Sequence, residues 1–147
     1  MSREAIYTAL LDRVWTAYAW RNPKALARRL KLWADVPLEE RPALYQFEGG
    51  DNPYAWSNNA IPRRTLSVAL VVYTDAKDPN VIGASAINAI LDAIDAAMTP
   101  AGSDVGLGRV TLGGLVYSCR IDGTIFTDPG DIDGDGLIRV PIQIVVP

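Results

Sequence analysis

Two stretches of this chain alternate apolar and polar residues over many positions, and that period of two commits it to a sheet with a buried face. Near the C-terminus, Ile138, Val140, Ile142, Ile144 and Val146 fall on one side, with Arg139, Pro141 and Gln143 on the other. Over residues 61–74, Leu66, Val68, Leu70 and Val72 share one face, and Thr65, Ser67, Ala69, Val71 and Tyr73 the other. Pro141 has no N–H for a ladder, so the closing strand is expected to lie at an edge or to carry a local break there. The chain stops on this strand, so no trailing linker, targeting signal or second domain is expected.

Two segments have helical spacing. Residues 2–20 place Ala5, Ile6, Ala9, Leu10, Val14 and Ala17 on one face, with Ser2 as N-cap and Asn22-Pro23 as the stop. Tyr7, Leu11, Trp15 and Tyr18 form a second apolar stripe. That stripe widens the core face or meets a neighbouring subunit, which makes Trp15 and Tyr18 candidate interface residues. In the second helix, Ile87, Ile90, Leu91, Ile94 and Met98 form the apolar stripe and Ser85, Asn88, Asp92 and Asp95 the polar one. Asp78 is its expected N-cap, Pro79 its first residue, and residues 99–102 its end.

The remaining segments read as shorter strands and turns. Residues 28–36 alternate weakly and suggest a strand closed by Pro37, followed by a turn at 38–41 and a strand over 42–47. Residues 49–59 form a polar loop that nevertheless carries Tyr54 and Trp56, large aromatics suited to anchoring a partner or to folding back. Residues 106–127 alternate again, with a bend at Gly113-Gly114 and a turn at Asp122-Gly123. Helix, strands, helix, strands predicts one α+β domain spanning 1–147: a mostly antiparallel sheet packed against two main helices.

Composition excludes much chemistry. The 147 residues contain no histidine, which removes Ser-His-Asp and Cys-His nucleophilic sites and imidazole-bound zinc. A single cysteine, Cys119, forms no internal disulfide and no four-thiolate zinc site; mid-strand among apolar neighbours, it reads as an inert buried thiol. The reading is of a non-enzymatic protein without cofactor, made in a reducing cytosol and without a signal-peptide core. Asp92 and Asp95 interrupt the longest apolar run, so no membrane span is expected. A net charge of −3 argues against general nucleic-acid binding, although Arg28-Arg29-Leu30-Lys31 and Arg63-Arg64 concentrate positive charge. The pairs Glu39-Glu40 and Asp92 with Asp95 read as solvated faces, and Gly106-Leu107-Gly108 lacks the strand–turn–helix setting of a nucleotide fingerprint.

Asp131-Ile132-Asp133-Gly134-Asp135-Gly136 matches the first half of a calcium loop, in which alternate carboxylates converge on a hard cation. The second half fails, because Ile142 stands where a bidentate glutamate is required. A strand-connecting turn built from Asp and Gly is the preferred reading and no metal is assigned, while a calcium-stabilised binding module is kept as an alternative.

In order and spacing, most of the chain resembles the tail terminator proteins of long-tailed phages, also described as minor tail or tail completion proteins. The resemblance rests on Arg28-Arg29-Leu30-Lys31-Leu32-Trp33-Ala34-Asp35-Val36-Pro37, Glu40-Arg41-Pro42-Ala43-Leu44-Tyr45-Gln46, Ala89-Ile90-Leu91-Asp92-Ala93-Ile94, Thr111-Leu112-Gly113-Gly114-Leu115-Val116 and Val140-Pro141-Ile142-Gln143-Ile144. It implies a virion protein assembled in the host cytoplasm into a ring, usually of six copies, at the head-proximal end of the tail tube. Such a ring stops tube polymerisation, meets a head-proximal connector or stopper protein, and lets DNA pass through its lumen without specific binding. A neck or head-completion protein is the nearest alternative. The acidic 131–136 loop departs from the family pattern.

Overall fold

The computed structural model describes residues 2–58 and 61–146, so Asn59 of the expected 49–59 loop and the terminal Pro147 lie outside the described residues. Among the described residues two α-helices pack on one face of a six-stranded antiparallel sheet, an α+β domain: α1 is Arg3–Trp15 and α2 is Gly83–Ala97. The strands are β1 Ala43–Phe47, β2 Tyr54–Ala55, β3 Arg63–Asp75, β4 Ser118–Ile121, β5 Phe126–Asp128 and β6 Asp135–Val146. Their order is β1-β3-β6-β4, with β2 extending the β1 edge of β3 and β5 extending the β4 edge of β6.

The two alternating stretches are the central pair β3 and β6, in register from Arg64 opposite Val146 to Asp75 opposite Asp135. Their helix-facing residues, including Leu66, Leu70, Ile138, Ile142 and Ile144, are buried against Ile6, Leu10 and Val14 of α1 and Ile87, Ile90 and Ile94 of α2. Each such fully buried aliphatic side chain contributes roughly 1.5–3 kcal/mol. Pro141 sits on a central strand at a local break. The Pro141 carbonyl accepts from Asp122 N–H, so its nitrogen also faces the β4–β5 side, where the chain leaves the ladder after Ile121 and rejoins at Phe126. Gly123, at φ +125°, lies over the proline ring, 3.0 Å separating its notional Cβ from Pro141 Cγ.

Helix α1 starts as expected, with Ser2 Oγ accepting from Ala5 N–H, but it ends at Trp15 instead of Trp20. Side chains take its last carbonyls: Thr16 Oγ1 donates to Arg13 O and Trp20 Nε1 to Val14 O. The two stripes merge into one wide core face, since Ile6, Tyr7, Leu10, Leu11 and Val14 are all buried, whereas Ala5 faces solvent. Helix α2 begins at Gly83, not at Asp78-Pro79. Asp78 closes its own turn, its carboxylate accepting from Asn80 N–H and its carbonyl from Val81 N–H, and so caps no helix. Gly83 is required where the helix meets the loop after β5, because a Cβ there would stand 2.2 Å from Pro129 O. At the other end Arg13 ties the helices together, its Nε donating to Ala97 O and its Nη2 to Thr99 O at 2.9 Å.

Residues 28–36 form no strand. The outer edge of β1 is already occupied: Asn22 accepts from Leu44 N–H and donates to Leu44 O, and Ala27 O accepts from Gln46 N–H. With no ladder to join, the segment crosses the other face of the sheet in short 3₁₀ turns at Trp33–Asp35 and Leu38–Glu40. There Val36 seals a second cluster with Ala43, Tyr45, Ala69, Val71 and Tyr73. Arg41, 5% exposed, fixes the crossing by donating to Trp33 O, Val36 O and Asp135 Oδ1. The alternating segment over 106–127 bends at Gly113-Gly114 and turns at Gly123, as expected, but carries less strand than its alternation suggests. A 3₁₀ turn occupies Gly102–Leu107, and Leu112, Gly113 and Gly114 all take positive φ, leaving only β4 and β5 as strand. Buried Asp104 holds that turn, accepting from both Thr111 N–H and Thr111 Oγ1; the two bonds keep its carboxyl below the usual range.

Candidate assembly surface

The segment over 31–36 covers only part of the second sheet face. Register places Phe47, Ser67, Arg120, Phe126, Arg139 and Gln143 on the same side as Tyr45 and Tyr73 but beyond that cover. Phe47, Phe126, Arg120 and Arg139 are exposed. This half-face is therefore open, with apolar and cationic side chains side by side.

The β2–β3 hairpin projects from one end of it. Between β1 and β2 the loop is laced to β3 without a ladder: Asn52 Oδ1 accepts from Ser67 N–H, Asp51 O from Ser67 Oγ and Pro53 O from Thr65 N–H. Tyr54, half exposed, lies on the helix side and its hydroxyl accepts from Arg3 Nη2 at 2.7 Å. Trp56 is 71% exposed and does not fold back. It lines a groove of about 480 Å³ with Ile61, Pro62, Arg63, Tyr117 and Val145.

Trp15 and Tyr18 are placed differently. Both are partly buried against the helix-side core, and the Tyr18 ring packs on Trp20 with centroids 5.1 Å apart. They bring no surface to Tyr54 and Trp56.

No protein-family model and no curated protein matches the chain. The site is therefore read from geometry and charge. Within 28–31, Arg28 is turned inward, paired with Glu4 at 2.8 Å and with Glu48 at 2.5 Å, and lies 5.7 Å from the Tyr7 ring centroid. Its two carboxylates hold the guanidinium well above its ordinary pKa, and Arg28 in turn lowers that of Glu4. Arg63 and Arg64 form no ion pair among the described residues, and Arg63 borders the groove.

In the acidic loop the carboxylates diverge. Asp135 opens β6 and is bound by Arg41 Nη1 at 2.6 Å and Lys77 Nζ at 3.3 Å; its pKa is lowered chiefly by the Arg41 hydrogen bond. Asp133 accepts from Asp135 N–H, while Asp131 is exposed. Among the described residues no group of three or more Cys, Asp or Glu side chains is placed to hold a metal ion. Cys119 is buried on the helix side and burial pushes its thiol up to about 12.

Sequence reasoning missed three features. Arg41 gave no sign of burial, since its carboxylate partner Asp135 lies 94 residues away. Ile61 and Tyr117 are far apart in sequence and come together only as lining of one groove with Val145 and Val146. Ile132, 102% exposed, did give a sign: a β-branched apolar residue inside a turn that calls only for Asp and Gly.

Proposed function

We propose that this chain is a structural virion protein of a long-tailed phage, a tail terminator. It closes into a ring, six copies in the family it resembles, on the head-proximal end of the tail tube, halts tube growth and presents a surface to the head connector. It acts without cofactor or catalysis, and DNA passes through the lumen without specific contact, which suits a chain of net charge −3.

The resemblance in order and spacing supports the reading, and one observation carries it physically. A single domain leaves a sheet face half open, and the hairpin at one end of the sheet carries exposed Trp56, with Tyr54 half exposed on the helix side. Apolar and aromatic surface of that kind marks protein contacts. A closed ring requires unlike patches on opposite sides of each subunit, and this surface offers one of the two.

The test is genetic and visual. Removing the gene from the phage that encodes it should leave overlong tail tubes unjoined to heads, and supplying the protein in trans should restore tails of fixed length. Normal tails joined to heads without it would refute the assignment.

A further inference from the structure

The second patch lies at the far end of β6. This strand has 12 residues, so its ends stand roughly 37 Å apart at ~3.4 Å per residue. Val145 and Val146 at its C-terminal end line the groove with Trp56, Ile61, Arg63 and Tyr117. At its N-terminal end the 131–134 loop holds up Ile132, fully exposed and flanked by exposed Asp131 and Asp133.

That loop is rigidly built. Gly134 N–H donates to Gly130 O, Ala76 N–H to Gly134 O, and Lys77 Nζ to Asp133 O at 2.6 Å. Gly130 and Gly134 both sit at φ +80°, and a Cβ on Gly134 would stand 2.9 Å from Lys77 Cα. Ile132 is therefore presented in a fixed place, so little ordering entropy opposes its docking. Exposed Val81 and Ile82 share this end, because Gly83 beside them abuts Pro129 O.

The ends match in shape and in charge: an apolar knob with an acidic collar at one, an apolar groove with Arg63 at its lip and Arg64 adjacent at the other. Resting on the ring-forming reading above, we infer that Ile132 of one copy docks in the Trp56–Tyr117 groove of the next, with Asp131 facing Arg63. Because knob and groove lie at opposite ends of the longest shared strand pair, each copy uses both and the contact is head-to-tail.

Cysteines introduced at Ile132 and Ile61 in one chain test this directly. On oxidation the Ile132→Cys, Ile61→Cys variant should give a reducible ladder of covalent multimers, while a mixture of the two single variants should give only the mixed dimer. Ile132→Asp should weaken self-association about tenfold or more without loss of fold by circular dichroism, since the side chain touches solvent alone. Asp131→Arg and Arg63→Asp should each weaken it and together restore it. A double-cysteine chain that stops at dimers would mean a two-fold contact and overturn the head-to-tail docking. Oligomers of wild-type size that neither cross-link nor respond to Ile132→Asp would overturn this docking and leave the ring reading standing. A wild-type chain that stays monomeric at high concentration, together with a double-cysteine variant that never cross-links, would overturn both.

Discussion

Replacing Arg41 by methionine keeps most of the side-chain volume and removes every donor. Arg41 is 5% exposed and lies where the 28–41 crossing meets the start of β6. The change strips Trp33 O and Val36 O of a buried donor and leaves Asp135 with Lys77 alone. A buried carbonyl left without its partner costs about 1–3 kcal/mol. Breaking a buried ion pair from one side costs about 3–5 kcal/mol, and Asp135 keeps a second cation, so the lower part of that range applies. Costs within one hydrogen-bonded cluster are not additive, and the carbonyl of exposed Trp33 can turn to water, so the expected loss is about 3–5 kcal/mol, a large part of the roughly 5–15 kcal/mol that stabilises an ordinary domain. At about 2–4 °C per kcal/mol for a chain of this size, Tm should fall by roughly 6–20 °C. Urea unfolding followed by tryptophan fluorescence would measure it. The midpoint should drop with little change in slope, and Arg41→Lys should recover only part of the loss, because an ammonium cannot span carbonyl and carboxylate as the guanidinium fork does. A loss below about 1 kcal/mol would refute the view that Arg41 fastens the crossing segment.

Other expectations are equally concrete. The carboxyls of Asp135 and Asp104 are held below their ordinary range in the fold, so each stabilises it above the unfolded pKa near 4 and loses that effect as pH falls through the lower folded value; stability measured by urea at stepped pH should decline below about pH 4. Arg41→Met should flatten part of that acid limb, because the Arg41 hydrogen bond is the main cause of the shift at Asp135. Gly83→Ala should destabilise by about 1–3 kcal/mol although alanine normally favours a helix, because the new Cβ has Pro129 O 2.2 Å away; an increase in Tm would contradict the contact. Cys119, with its thiol pushed up to about 12, should resist alkylation at pH 8 in the native protein and react promptly in denaturant. Rapid native labelling would show that this part of the sheet opens.

What the residues revealed in advance follows from how local the forces are. The β3–β6 pair was legible because both strands bury one face and repeat every two residues, and the stripe of α2 because it buries one face at helical spacing. The 28–36 segment was not, because its weak alternation presumed a free edge on β1, and the Asn22 side chain had taken that edge from 22 residues away. Asp78-Pro79 had the right residues for a cap but used them in a turn four residues too early. Large aromatics in a polar loop stand out, and Tyr54 and Trp56 are both exposed; for Trp15 and Tyr18 the signal is periodicity alone, which does not tell a wide core face from a subunit contact. Ile132 was legible as an apolar residue in a turn, but a turn sequence alone does not say which of its side chains is held out into solvent.

The most direct test of the ring is the native mass of the full chain over a concentration series, with imaging of the largest species. The terminator reading predicts a closed oligomer of defined size, six copies in the family it resembles, with a lumen wide enough for duplex DNA. A chain of 15.9 kDa that stays monomeric at every concentration would contradict it.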